Sequence, residues 1–368
     1  TTRVCPSSSG GIFGAREVAI SADGQFVAFA SDAPDLVPGQ IEGNAGPDIF
    51  LYVRATAQCT LVSHTSSAAS RSGNDQSQNL SLSADGRFVA FESRATDLAL
   101  GQTGTFIYDR VLGSLRWVSS GSNPKISADG RTVVLVSGLS DLVPGQIDLN
   151  GGADLFLFDL AHGTTALVSH AAGLPTTAAD TGFPFDYGTS ISADGRFVAF
   201  VSTAGNLVAG QSARSNGSPN VFVYDRTSGA ITLASRAEGS PTTPSGGDSR
   251  WTSISADGRF VAFESDSGNI VIDPINRERH SDIFLFDRDS DSVVLVSADT
   301  GLPATNSLRS SFSPAVSADG SQIAFISFAD NLIEGAMDFN NGQDVFLYDT
   351  ATGMNALATG HAPGEASL

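Results

Sequence analysis

The chain has 368 residues, 41% of them hydrophobic, and its formal net charge is −19 because 39 Asp and Glu residues outnumber 20 Lys and Arg residues. An acidic surface repels nucleic acid and anionic membranes, and it favours divalent cations. No apolar run approaches the roughly 18–20 residues that span a bilayer. We therefore expect neither a nucleic-acid partner nor membrane insertion.

Residues 1–13 are predicted to form an N-terminal extension that precedes the repeats. The chain begins at Thr1 without Met, so we expect a processed or trimmed product from which any signal peptide is already gone. Cys5 in the extension and Cys59 in the first repeat could form one disulfide, as in an exported protein, or remain two buried thiols. The sequence leaves both alternatives open.

Residues 14–358 contain six copies of one unit, each marked by the tetrapeptide SADG. Strand a ends at the Ser of this motif, and Asp-Gly makes the tight turn into strand b, such as RFVAFES at 87–93. A polar loop leads to strand c, such as DVFLYD at 344–349. A turn that starts with Asp and ends with Gly, as in DRTSG at 225–229, leads to strand d.

Strands b and c are apolar at consecutive positions, which indicates sheets that are covered on both faces. Six such four-stranded sheets predict an all-β fold, a six-bladed β-propeller with four antiparallel strands per blade. A parallel β-helix is the competing fold, but its coils are far shorter than about 60 residues. The predicted blades are 14–64, 77–119, 121–170, 186–236, 249–298 and 311–358, and a C-terminal tail follows at 359–368.

The repeated SADGRFVAFES run, with DLVPGQ at 141–146 and DLNGGADLFLFD at 148–159, resembles the WD40-like (PD40) repeats of TolB-type β-propellers. The resemblance extends over nearly the whole chain, from about residue 14 to 358. It implies a bacterial protein that is periplasmic, secreted or exposed at the cell surface. Members of this family bind or scaffold other molecules, and some TolB-like propellers are polysaccharide lyases that bind a metal through a His-rich cluster in the channel.

The connectivity of a propeller sorts its loops onto two faces. The a–b and c–d turns lie on one face, and here all of them are short Asp/Gly turns. The b–c and d–a connections lie on the other face and include every long, variable segment. Because function generally resides on variable loops held by a rigid scaffold, we expect the functional site on this second face, called the loop face below.

The b–c loops repeat an acidic residue, Asn and Asp at offsets 0, 2 and 6 before strand c. Calcium prefers six to eight oxygen ligands from carboxylates, amides and carbonyls, so we predict structural calcium sites, with magnesium as second choice. Alternatively, these residues are turn formers that bond local backbone amides. The predicted metal residues are Glu42, Asn44 and Asp48 in blade 1, Asp148, Asn150 and Asp154 in blade 3, and Asp338, Asn340 and Asp344 in blade 6.

The residues four and five positions before each SADG serine are predicted to form the rim of the central channel on the loop face. Aromatic, Arg and amide groups that converge on a concave site are typical of a ligand pocket. Alternatively, these side chains plug the channel or pack against loops. The predicted ligand-binding residues are Arg16, Glu17, Tyr187, Arg250, Trp251 and Phe312.

No HExxH, GxSxG or Walker-type phosphate motif occurs, and the rim contains no His, so we predict no catalytic residue. The sequence predicts a monomeric, non-enzymatic, extracytoplasmic propeller that binds a protein or glycan at the channel mouth, with calcium stabilising some loops. One alternative is a carbohydrate-active enzyme, a polysaccharide lyase or glycosidase, that uses the same mouth. Another is one module of a longer surface protein.

Overall fold

The computed structural model describes Cys5 and residues 15–182, 188–212, 217–271, 280–299, 302–306, 309–333 and 342–359. Every regular element in the described residues is a β-strand, as the sequence predicted. None of the described segments is a helix long and apolar enough to cross a membrane. The chain divides into two compact units, Thr1–Gln146 with Ala153–Val168 and Ile147–Gly152 with Ser169–Leu368.

The described part of the first unit contains three four-stranded antiparallel sheets, each built from consecutive strands. Sheet 1 is β1–β4, sheet 2 is β7–β10 and sheet 3 is β11–β14, while β5 and β6 form a separate hairpin. The strands are β1 (Ala15–Ile20), β2 (Phe26–Ser31), β3 (Asp48–Val53), β4 (Gln58–Leu61), β5 (His64–Thr65), β6 (Ala68–Ser72), β7 (Ser77–Leu82), β8 (Phe88–Ser93), β9 (Gly104–Asp109), β10 (Ser114–Ser119), β11 (Ser122–Ile126), β12 (Thr132–Ser137), β13 (Asp154–Asp159) and β14 (Thr164–Leu167).

The described part of the second unit repeats this arrangement. Sheet 4 is β15–β18, sheet 5 is β19–β22 and sheet 6 is β25–β28, with β23 and β24 as a hairpin. The strands are β15 (Ser190–Ile191), β16 (Phe197–Ser202), β17 (Asn220–Asp225), β18 (Ala230–Leu233), β19 (Ser249–Ile254), β20 (Phe260–Ser265), β21 (Asp282–Asp287), β22 (Ser292–Leu295), β23 (Ala298–Asp299), β24 (Leu302–Asn306), β25 (Ser311–Val316), β26 (Gln322–Ser327), β27 (Asp344–Asp349) and β28 (Met354–Leu357).

The consecutive apolar positions of the two middle strands are buried on both faces of the sheets, as predicted. In sheet 2, Phe91 stacks on Phe106 with ring centroids 5.8 Å apart, and this pair packs against sheet 1. Phe263 and Phe284 of sheet 5 form the equivalent stack at 5.7 Å and pack against sheet 4. The opposite face of sheet 5 packs against sheet 6.

The Asp of each SADG motif closes the turn between the first two strands of its sheet. In sheet 1, Asp23 Oδ1 accepts hydrogen bonds from the Ser21 hydroxyl (2.6 Å) and the Gln25 N–H (3.0 Å). Gly24 has φ +66°, a conformation that glycine adopts without steric penalty. The same two bonds recur at Asp85, Asp129, Asp194, Asp257 and Asp319.

The Gln of the DLVPGQ-type motif closes a second kind of turn, at the start of the b–c loop. Gln40 Nε2 donates to the Ala33 carbonyl (3.0 Å), and its Oε1 accepts the N–H groups of Leu36 and Val37 at 3.0 and 3.2 Å. Gln146 and Gln211 make equivalent contacts. The motif therefore fixes the loop that carries the predicted metal residues.

Candidate functional site

Most long connections of the loop face are held by main-chain hydrogen bonds on both sides. We call residues 64–76, 170–182 and 236–248, which follow sheets 1, 3 and 4, the junction segments. In the first segment, the Ser70 carbonyl accepts the Ile41 N–H (2.8 Å) from the preceding b–c loop. The Asn74 N–H donates to the Asp97 carboxylate (2.9 Å) of the following sheet. These loops are therefore rigidly anchored.

The other two junction segments repeat the same contacts. The Thr176 carbonyl accepts the Ile147 N–H at 2.8 Å, and the Thr242 carbonyl accepts the Ser212 N–H at 3.0 Å. On the other side, Asn206 Oδ1 accepts the Asp180 N–H at 3.0 Å, and Asn269 Oδ1 accepts the Gly246 N–H at 2.9 Å. The carbonyls of Asp97, Asn206 and Asn269 each accept one further N–H from the segment.

The predicted rim positions fall on a β-bulge that recurs in the first strand of the sheets. The residue four positions before the SADG serine has positive φ in sheets 2 to 6, and register shifts mark the bulge in β7, β11, β19 and β25. For a residue with a β-carbon this conformation costs roughly 1–2 kcal/mol. The residues at this position are Asn79 (φ 56°), Asn123 (50°), Gly188 (101°), Trp251 (54°) and Ser313 (53°).

Glutamates of the first or second strand accept hydrogen bonds at or next to these bulges, a role that the sequence analysis missed. Glu92 Oε2 accepts the Asn79 side-chain amide at 2.8 Å and the Asn123 N–H of sheet 3 at 3.4 Å. In sheet 1, the predicted rim residue Glu17 accepts the Leu80 N–H of sheet 2 at 3.0 Å. These carboxylates join neighbouring sheets at the rim. The only sequence signal is the Glu that replaces an apolar residue in RFVAFES.

The predicted rim positions of sheet 5 combine a partly exposed aromatic residue with charged groups. The Trp251 side chain is 48% exposed although it lies on a bulge, and Arg250 forms an ion pair with Asp248. Arg250 lies opposite Glu264 in the strand register. Burial raises the pKa of Glu264, while hydrogen bonds from Ser281 and the next sheet's backbone oppose the shift.

The remaining predicted rim residues have different environments. Phe312 is half-buried, and its ring packs edge-on against Phe328 at 6.1 Å. Arg16 is exposed and pairs with Asp32 at 2.6 Å. Tyr187 lies outside the described residues. Arg16 and Glu17 belong to the first unit, whereas Arg250, Trp251 and Phe312 belong to the second.

The b–c loop of sheet 1 brings two of its predicted metal residues together. Asp48 is only 1% exposed and accepts the Ser63 hydroxyl at 2.7 Å. Glu42 accepts the Ser72 hydroxyl at 2.5 Å. Burial, followed by the charge of Glu42, raises the pKa of Asp48 from 3.8 to about 8. Two carboxylates with hydroxyl neighbours form a donor set that suits a hard divalent cation.

Asn44 and Asn150 use both ends of their side-chain amides on the backbone. The Asn44 oxygen accepts the Gly46 N–H at 2.6 Å, and its nitrogen donates to the Gly73 carbonyl at 2.8 Å. Asn150 makes the same two bonds at 2.6 and 2.9 Å. These contacts are those of the turn-forming alternative, and they clip each b–c loop to its junction segment.

The other predicted metal residues do not form an acidic cluster within the described residues. Asp148 Oδ1 accepts the N–H groups of Asn150 and Gly151 at 3.0 and 3.2 Å. Asp154 is buried at the start of β13. Asp344 accepts the Thr359 hydroxyl, and Asp338 and Asn340 lie outside the described residues. No group of three or more His, Cys, Asp and Glu side chains suited to a metal occurs in the described chain.

A cleft of about 370 Å³ in the second unit contains a buried arginine. Arg236 pairs with Asp291 at 2.8 Å and lies over the Phe286 ring at 5.2 Å. The Asp291 carboxylate therefore already balances the charge of the Arg236 guanidinium. We interpret this arginine as a contact between sheets.

No family model and no curated protein matches the chain, but solved β-propeller structures do. The β-propeller domain of the Trilobed protease from Pyrococcus furiosus is similar with TM-score 0.52 and 10% identity, over 92% of this chain and 84% of that one. TolB from Acinetobacter baumannii has TM-score 0.41 and 16% identity over 84% of this chain. This chain spans only 58% of the length of that TolB chain.

An oligogalacturonate lyase from Vibrio parahaemolyticus is similar with TM-score 0.48 and 13% identity, over 92% of this chain and 75% of that one. Likenesses at such low identity show the fold alone. The likeness to the propeller domain of the Trilobed protease, together with the antiparallel four-stranded sheets, confirms an all-β propeller fold. The more specific assignment to PD40 repeats stays a prediction.

Proposed function

We propose that the chain is a six-bladed, TolB-like β-propeller that acts as a monomeric, non-enzymatic binding or scaffold protein outside the cytoplasm. The observation that carries this proposal is Trp251, a residue that is 48% exposed on a backbone of φ 54°. A bulky residue at positive φ is rare and strained. The equivalent bulge positions of sheets 2, 3, 4 and 6 hold Asn79, Asn123, Gly188 and Ser313, so a large aromatic residue is confined to sheet 5 at this position.

The surroundings of Trp251 suit a polar ligand with an apolar face, such as a glycan or a protein loop. The indole supplies a flat surface for stacking. Arg250 and Asp248 supply hydrogen-bonding groups beside it. The disulfide between Cys5 and Cys59 supports a location in an oxidising, extracytoplasmic compartment.

Binding to a panel of neutral and uronic-acid oligosaccharides tests this site. We expect saturable binding of at least one glycan that Trp251→Ala weakens by at least tenfold, because one stacked ring contributes roughly 1–3 kcal/mol. Leu174→Ala is the matched control, since Leu174 is also a large exposed apolar residue of the second unit. A glycan that binds equally to the Trp251 variant and the wild type would contradict the proposed site.

We further propose that calcium binds between Glu42 and Asp48 and stabilises the b–c loop of sheet 1. The buried carboxylate of Asp48 and the adjacent charge of Glu42 support this proposal, because a cation would relieve their repulsion. Added calcium is expected to raise the melting temperature and EGTA to lower it. Asp48→Asn should abolish the effect. Asp282→Asn should retain it, since Asp282 accepts the equivalent Ser297 hydroxyl at 2.8 Å.

An enzyme that acts on acidic polysaccharides is the second candidate. Glu264 favours it, because burial raises the pKa of this carboxyl beside Arg250 and a raised pKa suits a general acid or base. Incubation with polyuronates, followed by ultraviolet absorbance and reducing-end assays, distinguishes elimination from hydrolysis. Product that forms with the wild type and disappears with Glu264→Gln would replace the non-enzymatic proposal.

A further inference from the structure

The connection from sheet 2 to sheet 3 lacks a junction segment. β10 ends at Ser119 and β11 begins at Ser122, so only Ser120 and Gly121 link the two sheets. The b–c loop of sheet 2 is also short, at 94–103 against 138–153 in sheet 3. A cleft of about 280 Å³ lies at this place, lined by residues that include Glu92, Arg94, Thr103, Gly121, Ser137 and Gly138.

The cleft presents the same main-chain donor that the junction segments use elsewhere. Thr103 directly follows the motif Gln102, as Ile41, Ile147 and Ser212 follow theirs. Those three N–H groups each donate to a carbonyl of a junction segment. The Thr103 N–H makes no hydrogen bond within the described residues, so it is available to the carbonyl of an added strand.

The b–c loop of sheet 3, which lines the cleft with Gly138, contains the matching acceptor a few residues further on. Asp141 stands four residues after the last serine of the second strand of its sheet, as Asp97 and Asn206 do. The side chain and carbonyl of both equivalents accept N–H groups of a junction segment. Asp141 is exposed and makes no hydrogen bond in the part of the chain that the structure describes.

Apolar side chains of the b–c loop of sheet 3 are more exposed than their equivalents in sheets 2 and 4, which follow a junction segment. Leu139 is 39% exposed, whereas the equivalent Ala95 and Ala204 are 0% and 3% exposed. Leu142 is half-buried, whereas its equivalents Leu98 and Leu207 are fully buried. Leu139 directly follows the cleft residue Gly138, so the b–c loop of sheet 3 leaves apolar surface that an additional segment would cover.

An unpaired hydroxyl beside the cleft points to the same incomplete structure. In sheets 1 and 4 the serine that follows the last strand donates to a strand-c side chain, Ser63 to Asp48 (2.7 Å) and Ser235 to Asn220 (3.1 Å). In sheet 2 the strand-c position is Gly104, and the equivalent Ser119 hydroxyl is buried without a hydrogen-bond partner among the residues that the structure describes.

We propose that this cleft, the sheet 2–3 groove, binds an extended Ser-, Thr- and Gly-rich segment of a partner polypeptide in the place of the missing junction segment. The partner's carbonyl accepts the Thr103 N–H, and two of its N–H groups donate to the side chain and carbonyl of Asp141. Its small side chains cover Leu139 and Leu142. The groove belongs to sheets 2 and 3, so it goes beyond the proposed ligand site around Trp251.

The chain itself supplies suitable probes. Synthetic peptides with the sequences of residues 172–182 (AGLPTTAADTG) and 237–248 (AEGSPTTPSGGD) contain the residues whose main-chain groups make these hydrogen bonds in two of the junction segments. We expect fluorescently labelled peptides to bind the full chain saturably, as measured by anisotropy. Scrambled peptides should not bind. Absence of saturable binding up to millimolar peptide would overturn the proposal.

Variants of exposed residues locate the binding. Asp141→Ala should weaken peptide binding roughly tenfold through loss of a charge-assisted acceptor, whereas Asp141→Asn should bind well because Asn206 and Asn269 fill this role elsewhere. Gly138→Trp should block the groove without strain, since a β-carbon there meets nothing within 4 Å. Ser140→Ala is the neighbouring control and should bind normally.

The two proposed sites can fail separately. Trp251→Ala should leave peptide affinity unchanged, and Gly138→Trp should leave glycan binding unchanged. Peptide binding that survives Gly138→Trp would overturn the groove as its location. A dimer of the chain that Gly138→Trp dissociates would overturn the separate partner and assign the groove to a second copy.

Discussion

The hydroxyl of Ser63 donates a 2.7 Å hydrogen bond to the buried carboxylate of Asp48, which joins the last two strands of sheet 1. Ser297 and Thr359 donate to Asp282 and Asp344 in the same way, each at 2.8 Å. The acidic residue at the start of the third strand therefore has a structural role in sheets with and without the full loop motif. In sheet 1, the charge of the Glu42 carboxylate adds to the rise in the pKa of Asp48 that burial causes.

We predict that the stability of the metal-free protein depends on the protonation of Asp48. Its pKa is raised from 3.8 to about 8, so the folded chain holds a proton that the unfolded chain releases. The free energy of unfolding therefore decreases as the pH rises through this window, by at most about 1.4 kcal/mol per pH unit for one proton. Urea unfolding at several pH values, with EGTA present, measures this slope.

Asp48→Asn should flatten this part of the pH dependence, because an amide does not titrate. Asp282→Asn is the control, since it removes the equivalent hydrogen-bonded carboxylate without a neighbour equivalent to Glu42 in the sequence. Equal slopes in the wild type and Asp48→Asn would show that Asp48 is ionised at neutral pH and would contradict the prediction.

We predict that reduction of the disulfide between Cys5 and Cys59 destabilises the first unit. The bridge spans 54 residues, and Cys5 packs with Phe29, Phe50 and Leu61 in the core. Closing a loop of this length stabilises a fold by about 4 kcal/mol in the chain-entropy model. Thiol titration and thermal melts with and without reductant measure the effect. The double variant Cys5→Ala/Cys59→Ala should have a lowered melting temperature that the reductant does not change further. An equal melting temperature of the wild type with and without reductant would refute the prediction.

The sheets and tight turns could be predicted because their signals are local. Asp-Gly specifies the turn from Asp23, and consecutive apolar residues such as Val89 and Ala90 specify burial on both faces. The cysteine pairing remained open until the structure joined Cys5 to Cys59. A propeller was predicted correctly for the same reason, since each repeat carries its own complete set of strand and turn signals.

The rim could not be predicted in the same detail, because the bulge depends on register between strands. Asn79, Trp251 and Ser313 share the same backbone conformation although their side chains have little in common. The sheet 2–3 groove did leave a signal. The step from Ser83 to Ser127 is 44 residues, which is shorter than every other step between SADG motifs, but only the hydrogen bonds of the filled junctions reveal what is missing.

Packing between sheets 4 and 5 predicts that Gly258→Ala lowers the free energy of unfolding more than Gly24→Ala does. A β-carbon on Gly258 would lie 2.2 Å from a ring carbon of Phe197, whereas one on Gly24 would meet nothing closer than 4.0 Å. Both glycines have positive φ, so alanine costs roughly 1 kcal/mol at either position. Overpacking should add about 1–3 kcal/mol at Gly258 alone. Denaturant unfolding of the two variants tests this, and equal losses would contradict the packing of Phe197 on this turn.

The conformation of Trp251 predicts that its replacement by glycine raises or preserves the stability of the protein but abolishes glycan binding. Glycine occupies the equivalent position in sheet 4, where Gly188 has φ 101°, so the rim backbone accepts it. Trp251→Gly should relieve roughly 1 kcal/mol of backbone strain, while it removes the exposed indole. We expect an unchanged or higher melting temperature together with lost glycan binding. Trp251→Ala should lose binding without gaining stability, and a large loss of stability in the glycine variant would instead identify Trp251 as a packing residue.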